Sequence, residues 1–120
     1  MITILPADER AYQKIGVTDP AVRAMVSVNG EEIDEYILFT IQGTEMELLS
    51  VSVEDLVLQE GLVRAALNYG ARRAVETAYC VNPDMHRILT ALAFSNDGER
   101  RCVSIAEFFS RGCQHCAFSD

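Results

Sequence analysis

Residues 21–41 read AVRAMVSVNGEEIDEYILFTI, and this stretch decides the fold class. Val22, Ala24, Val26 and Val28 alternate with Arg23, Met25 and Ser27, which is the period of a strand. Asn29-Gly30 follows and is the strongest short hairpin signal in the chain, because the central positions of such a tight turn call for positive φ. Glu32 to Ile41, rich in Ile, Tyr, Phe and Thr, predicts the returning strand.

Working outward, Met1 to Pro20 reads as irregular, with Pro6 and the Asp19-Pro20 turn. Residues 21–112 read as a single α+β domain and residues 113–120 as a cysteine-containing tail. Thr44 with Glu47, and Ser52 with Asp55, have the spacing of helix-start caps. They predict one helical turn over Glu45 to Leu49 and a helix with Val53, Leu56, Val57 and Val63 inward. Gly61 weakens or ends that helix, and Asn68 to Gly70 is read as a break. Ala74 to Val81 predicts a strand. Met85 to Phe94 predicts an interior strand, with Ile88, Thr90, Leu92 and Phe94 alternating against Leu89, Ala91 and Ala93. Asn96 to Glu99 closes a hairpin into a return strand over Arg100 to Val103. Ser104 and Glu107 then cap a short helix that buries Ile105, Phe108 and Phe109. The expected fold class is α+β: a small mixed or antiparallel sheet built from hairpins, packed by two or three short helices.

Composition excludes some functions. The 120 residues are 49% hydrophobic and 23% charged, with a formal net charge of −8 and a single lysine, Lys14. That is a globular composition, and it lacks the surplus of cations that nucleic-acid phosphates demand. Between Arg23 and Arg64 there is no basic residue, while Glu31, Glu32, Asp34, Glu35, Glu45, Glu47, Glu54, Asp55 and Glu60 make an acidic flank suited to a basic protein patch. No run approaches the roughly 18 apolar residues of a membrane helix. No signal peptide is evident, and a cytoplasmic, reducing setting is expected for the four cysteines.

The candidate chemistry lies at Cys113-Gln114-His115-Cys116. Four readings stay open. A redox pair wants its first cysteine at a helix N-terminus, whereas here the helix precedes the pair. Structural zinc wants four ligands: Cys113 and Cys116 supply two, and Cys102 or His115 are the weaker candidates, with a shared ion in a homodimer as one way to complete the set. A persulfide carrier wants an exposed thiol with a second thiol close by. The fourth reading is an ordinary surface pair. His115 serves as a base beside the thiols or as a plain polar residue. Cys80 and Cys102 read as small buried hydrophobes, and His86 as a boundary residue at a strand start. Glu45 and Glu47 are too local to assign. Arg72-Arg73 and Arg100-Arg101 read as boundary charges able to hold an anion.

The order of features resembles the amino-terminal half of the FdhD/NarQ family, the formate dehydrogenase accessory sulfurtransferases. The resemblance rests on Val26-Ser27-Val28-Asn29-Gly30, Leu38-Phe39-Thr40, Gly43, Val53-Glu54-Asp55-Leu56-Val57 and Gln59-Glu60-Gly61-Leu62-Val63. It implies a relay in which Cys113 and Cys116 match the family's two loop cysteines, with Phe39-Thr40 and Glu60-Gly61 as scaffold. Sulfur would pass from a cysteine desulfurase to the molybdenum or tungsten bis-pyranopterin guanine dinucleotide cofactor of formate dehydrogenase, with no tightly bound cofactor of its own. The family loop carries glycines after both cysteines, where this chain has Gln114 and Ala117. Family members also continue into a second half of comparable length. The alternative is a non-enzymatic interaction or regulatory module, a structural-zinc or metal-linked homodimer.

Overall fold

In the computed structural model, residues 2–111 are described. The hairpin at the centre of the sequence forms as β2 (Val22–Asn29) and β3 (Glu32–Gln42), paired antiparallel from Val22↔Thr40 to Asn29↔Glu32. The turn sits one residue later than the Asn-Gly reading predicts. Gly30 and Glu31 are its central pair, and only Gly30 has positive φ, at 66°. That is the pattern of a type II′ turn, which needs glycine in its first central position alone. The same Gly-X loop returns the chain at Gly43-Thr44 and Gly98-Glu99.

Seven strands make one sheet in the order β1-β2-β3-β4-β5-β7-β6. The others are β1 (Ile2–Pro6), β4 (Glu45–Val51), β5 (Thr77–Cys80), β6 (Ser95–Asp97) and β7 (Arg100–Ser104). Every neighbour is antiparallel except β4 with β5, whose crossover is the long helix α2 (Leu56–Ala71). The expected α+β class holds.

Helix α2 covers one face of the sheet. Leu62, Val63, Ala66 and Leu67 pack against Met25, Ile37, Phe39, Met46 and Leu48 in a continuous core. Phe39 meets Tyr69 edge-on at 5.4 Å. The helical residues 105–111, called α4 here, add Ile105 and Phe108 to this core. Helix α1 (Glu9–Ile15) lies at the β1–β2 end, where Ala11 is buried and the Tyr12 hydroxyl accepts the Ala24 N–H. No helix among the described residues is long and apolar enough to cross a membrane.

Local readings differ at several places, and Val57, read as inward, is exposed on α2. The segment read as irregular carries β1 and α1, and Asp8 caps α1 by accepting the Ala11 N–H. Glu45 to Leu49 is strand rather than helical turn: Met46 and Leu48 are fully buried at period two, and Thr44 is a loop residue. Helix α2 runs through Gly61 and through Asn68 to Gly70, since buried Leu67 and Gly70 extend its inner stripe. Met85 to Phe94 is a 3-10 turn (Pro83–Met85) followed by α3 (His86–Ala91). Up to Leu92 the buried residues are Met85, Ile88, Leu89 and Leu92, spaced i, i+3, i+4 and i+7, so the helical period decides, and buried Phe94 follows the helix. His86 thus begins a helix, not a strand.

Candidate functional site

The parallel junction of β4 and β5 organises the site. Only three rungs join the two strands: Glu45↔Thr77, Met46↔Ala78 and Glu47↔Tyr79. Beyond the last rung β4 continues to Val51, while β5 ends at Cys80 and turns into the 3-10 segment. Open sheets take ligands outside the carboxyl ends of strands at such a change in connection. A cavity of about 480 Å³ opens there, lined by Ser50, Ser52, Glu54, Gln59, Asn82 and Asp84 among others.

Side-chain bonds hold that opening in shape. The Asn82 amide donates to the Leu49 carbonyl at 2.9 Å, and its oxygen accepts the Asp84 N–H at 3.0 Å. It therefore spans the gap between the parted strands. The Gln59 amide donates to the Val53 carbonyl at 2.7 Å and fixes the loop before α2. Asp55 caps α2, its Oδ1 accepting the N–H groups of Val57 and Leu58 at 2.8 and 3.1 Å. Ser52 accepts the Tyr36 N–H and donates to a Glu35 carboxylate oxygen.

On the sheet face away from α2, a smaller pocket of about 110 Å³ is lined by Thr40, Gln42, Glu45, Glu47 and Tyr79. Register places Thr40, Glu47, Tyr79, Cys102 and Ser95 in one row across β3, β4, β5, β7 and β6. The Tyr79 hydroxyl donates to Glu47 Oε1 at 3.3 Å. Burial, then the Glu47 charge and this hydrogen bond, push the Tyr79 phenol above its ordinary value, so it keeps its proton at neutral pH. The Arg100 guanidinium lies 5.0 Å from the Tyr79 ring centre and is tied to Asp97 at 2.9 Å. These residues can accept a proton (Glu47), donate one (Tyr79) and attract a cation (Glu45 and Glu47).

Cys113, His115 and Cys116, the residues to which sequence reasoning assigned the chemistry, lie outside the described residues. Cys80 and Cys102 are both free thiols, but on opposite sheet faces, since Tyr79 rather than Cys80 pairs with Cys102. Cys80 is buried and its thiol is pushed up by that burial. Cys102 is only half-buried, not the core residue expected. Among the described residues no group of three or more His, Cys, Asp or Glu side chains could hold a metal. His86 Nε2 is buried without a partner at the start of α3. Arg73 is exposed and stacks on Tyr69 at 3.4 Å. Sequence reasoning left Glu47 unassigned and gave Tyr79 no role. The signal available was Glu-Met-Glu-Leu-Leu, whose alternation puts both glutamates on the face opposite Met46 and Leu48.

No protein-family model matches the chain, and no curated protein matches it in sequence. Solved structures do. A GNAT-family acetyltransferase from Desulfovibrio desulfuricans superposes with a TM-score of 0.64 at 8% identity, covering 88% of this chain and 99% of its own. The fold is that of the GNAT acetyltransferases. The ribosomal-protein-S18-alanine N-acetyltransferase of Escherichia coli matches at TM-score 0.63 and 11% identity, over 81% of this chain and 79% of its own. A Bacillus subtilis acetyltransferase in complex with CoA matches at 0.60 and 8%, over 82% and 79%.

The GNAT fold overturns the FdhD/NarQ resemblance and, with it, the sulfur relay to a formate dehydrogenase cofactor. The quoted stretches have a structural explanation instead. Val26 to Gly30 and Leu38 to Thr40 are the central hairpin, and Val53 to Val63 is the capped entry and first turns of α2. A hairpin and a capped helix recur in many folds. The interaction-module and zinc-homodimer alternative gains no support from these neighbours either. The desulfurase and formate dehydrogenase partners, and the molybdenum or tungsten client, rest on that resemblance alone.

Proposed function

We propose that the chain transfers an acyl group from a thioester to the nitrogen of a cationic amine. The observation that carries this reading is the Glu47–Tyr79 pair at the last rung before β4 and β5 part, set in a pocket with a second carboxylate, Glu45. The GNAT fold and an N-acetyltransferase among its neighbours support it.

The residues act in sequence. An amine arrives protonated, and Glu45 and Glu47 draw it in by charge. Glu47 takes one proton, which frees the nitrogen lone pair. The nitrogen attacks the thioester carbonyl carbon, the C–N bond forms and the C–S bond breaks. Tyr79, still protonated, gives its proton to the departing thiolate and takes back the one Glu47 holds; Glu47 then accepts the second proton from the amide-forming nitrogen and releases it to solvent. The net change is protonated amine plus thioester to amide plus thiol plus one proton released to solvent. Free Cys80 and Cys102 suit the reducing, cytoplasmic setting in which a thiol product is stable. Amine-dependent release of free thiol, with a matching mass increase on the amine, is the test. Absence of both across polyamines, aminoglycosides and basic peptides would remove the reading.

A further inference from the structure

One neighbour of this fold holds CoA, a thiol carrier with a nucleotide diphosphate. The chain's own residues decide whether such a group fits here. A diphosphate needs unpaired N–H groups at a helix N-terminus, backbone able to approach closely, and compensating cations. The 16-residue α2 is the helix whose N-terminus opens on the cavity beyond β4 and β5.

Each requirement fails there. The N–H groups of Val57 and Leu58 are already bonded to the Asp55 carboxylate, and the Gln59 N–H goes to the Asp55 carbonyl at 2.9 Å. A fixed anion thus occupies the position an incoming phosphate would take. No glycine lies between Gly43 and Gly61, so every residue of the loop 52–55 carries a β-carbon that keeps a phosphate off the backbone. No lysine or arginine lies between Arg23 and Arg64, and none lines the cavity. Glu54 and Asp84 line it, and Glu35 adjoins it through Ser52. Like charges at such distances disfavour a second anion.

We infer that the chain does not seat the diphosphate of CoA, and that the acyl donor it accepts is a thioester without one. The donor half of this statement rests on the acyl-transfer reading; the diphosphate half stands on the helix terminus alone. A neutral thioester meets no like-charge penalty against Glu54, Asp55 and Asp84.

Calorimetric titration of CoA into the full chain tests the first half. No saturable binding tighter than about 1 mM is expected. Saturable binding below that limit overturns the inference. The variant Asp55→Ser with Glu54→Lys keeps a capping side chain while reversing the local charge, and should gain at least about tenfold in CoA affinity, with an unchanged weak affinity counting against the argument. For the second half, kcat/KM is compared between S-acetyl-N-acetylcysteamine and acetyl-CoA with one amine acceptor. Values within about threefold are expected, and a preference for acetyl-CoA above about tenfold overturns it. If neither thioester acylates any amine while CoA still fails to bind, the acyl-transfer reading and the donor half fall with it, and the diphosphate half stands.

Discussion

The Tyr79 hydroxyl donates to Glu47 Oε1 at 3.3 Å across the last parallel rung of the sheet. Neither residue is remarkable in sequence, and neither faces the core. They meet because α2 returns the chain to lie parallel beside β4, so that Glu47 and Tyr79, 32 positions apart, share a face and a rung.

The raised Tyr79 phenol makes stability depend on alkaline pH. Its folded value lies above 10.0, so the folded chain holds this proton more firmly than the unfolded chain. The associated stability is fully present below the unfolded value of 10.0 and is lost as pH rises through the folded value. Denaturant midpoints measured from pH 8 to 11.5 should fall more steeply above about pH 10 in wild type than in Tyr79→Phe. Parallel curves would mean that the burial and the Glu47 contact do not act on this hydroxyl.

Two helix glycines should respond differently to alanine. A β-carbon at Gly61 would stand 3.1 Å from Ile4 Cδ1, the tip of a side chain at the sheet edge that can move. Gly61→Ala should therefore gain most of the helical preference of alanine, about 0.5–1 kcal/mol. At Gly70 the β-carbon would stand 2.8 Å from Met46 Sδ and 3.3 Å from Val75 Cβ, both buried. Gly70→Ala should lose about 1–3 kcal/mol to overpacking. Thermal melts of the two variants check the opposite signs.

Asn82 is the clasp of the opening. Asn82→Ala removes the bond to the Leu49 carbonyl and the cap on the Asp84 N–H. A loss of about 1–3 kcal/mol is expected, with hydrogen exchange at Asp84 and Met85 quickening beyond the global change. A uniform change across all amides would show that the bond does not hold this end locally.

How much of this was legible is clear from single residues. The hairpin around Gly30 was readable because alternation and turn chemistry agree. So was the return read over Arg100 to Val103, with its Gly98 turn. Met85 to Phe94 was misread because an apolar stretch this rich satisfies both periods, and the cap at Asn82 with Pro83 was the deciding signal. Glu45 to Leu49 was misread because a Thr-x-x-Glu cap outranked a clean Met46/Leu48 alternation. The Cys-x-x-Cys pair drew the functional reading because thiols announce chemistry locally. Glu47 and Tyr79 announce nothing until the sheet is assembled, since pairing across a parallel crossover has no local signature.

The central claim is that Glu47 deprotonates an amine bound beside Tyr79. The most direct measurement is amine-dependent thiol release from an acyl thioester by wild type and by Glu47→Gln, which keeps the size and the acceptor for Tyr79. The account predicts turnover by wild type, a drop of about 100-fold or more in kcat/KM for the variant, and a melting free energy unchanged within about 0.5 kcal/mol. Equal turnover by the two proteins, or no amine-dependent release by wild type, would contradict it.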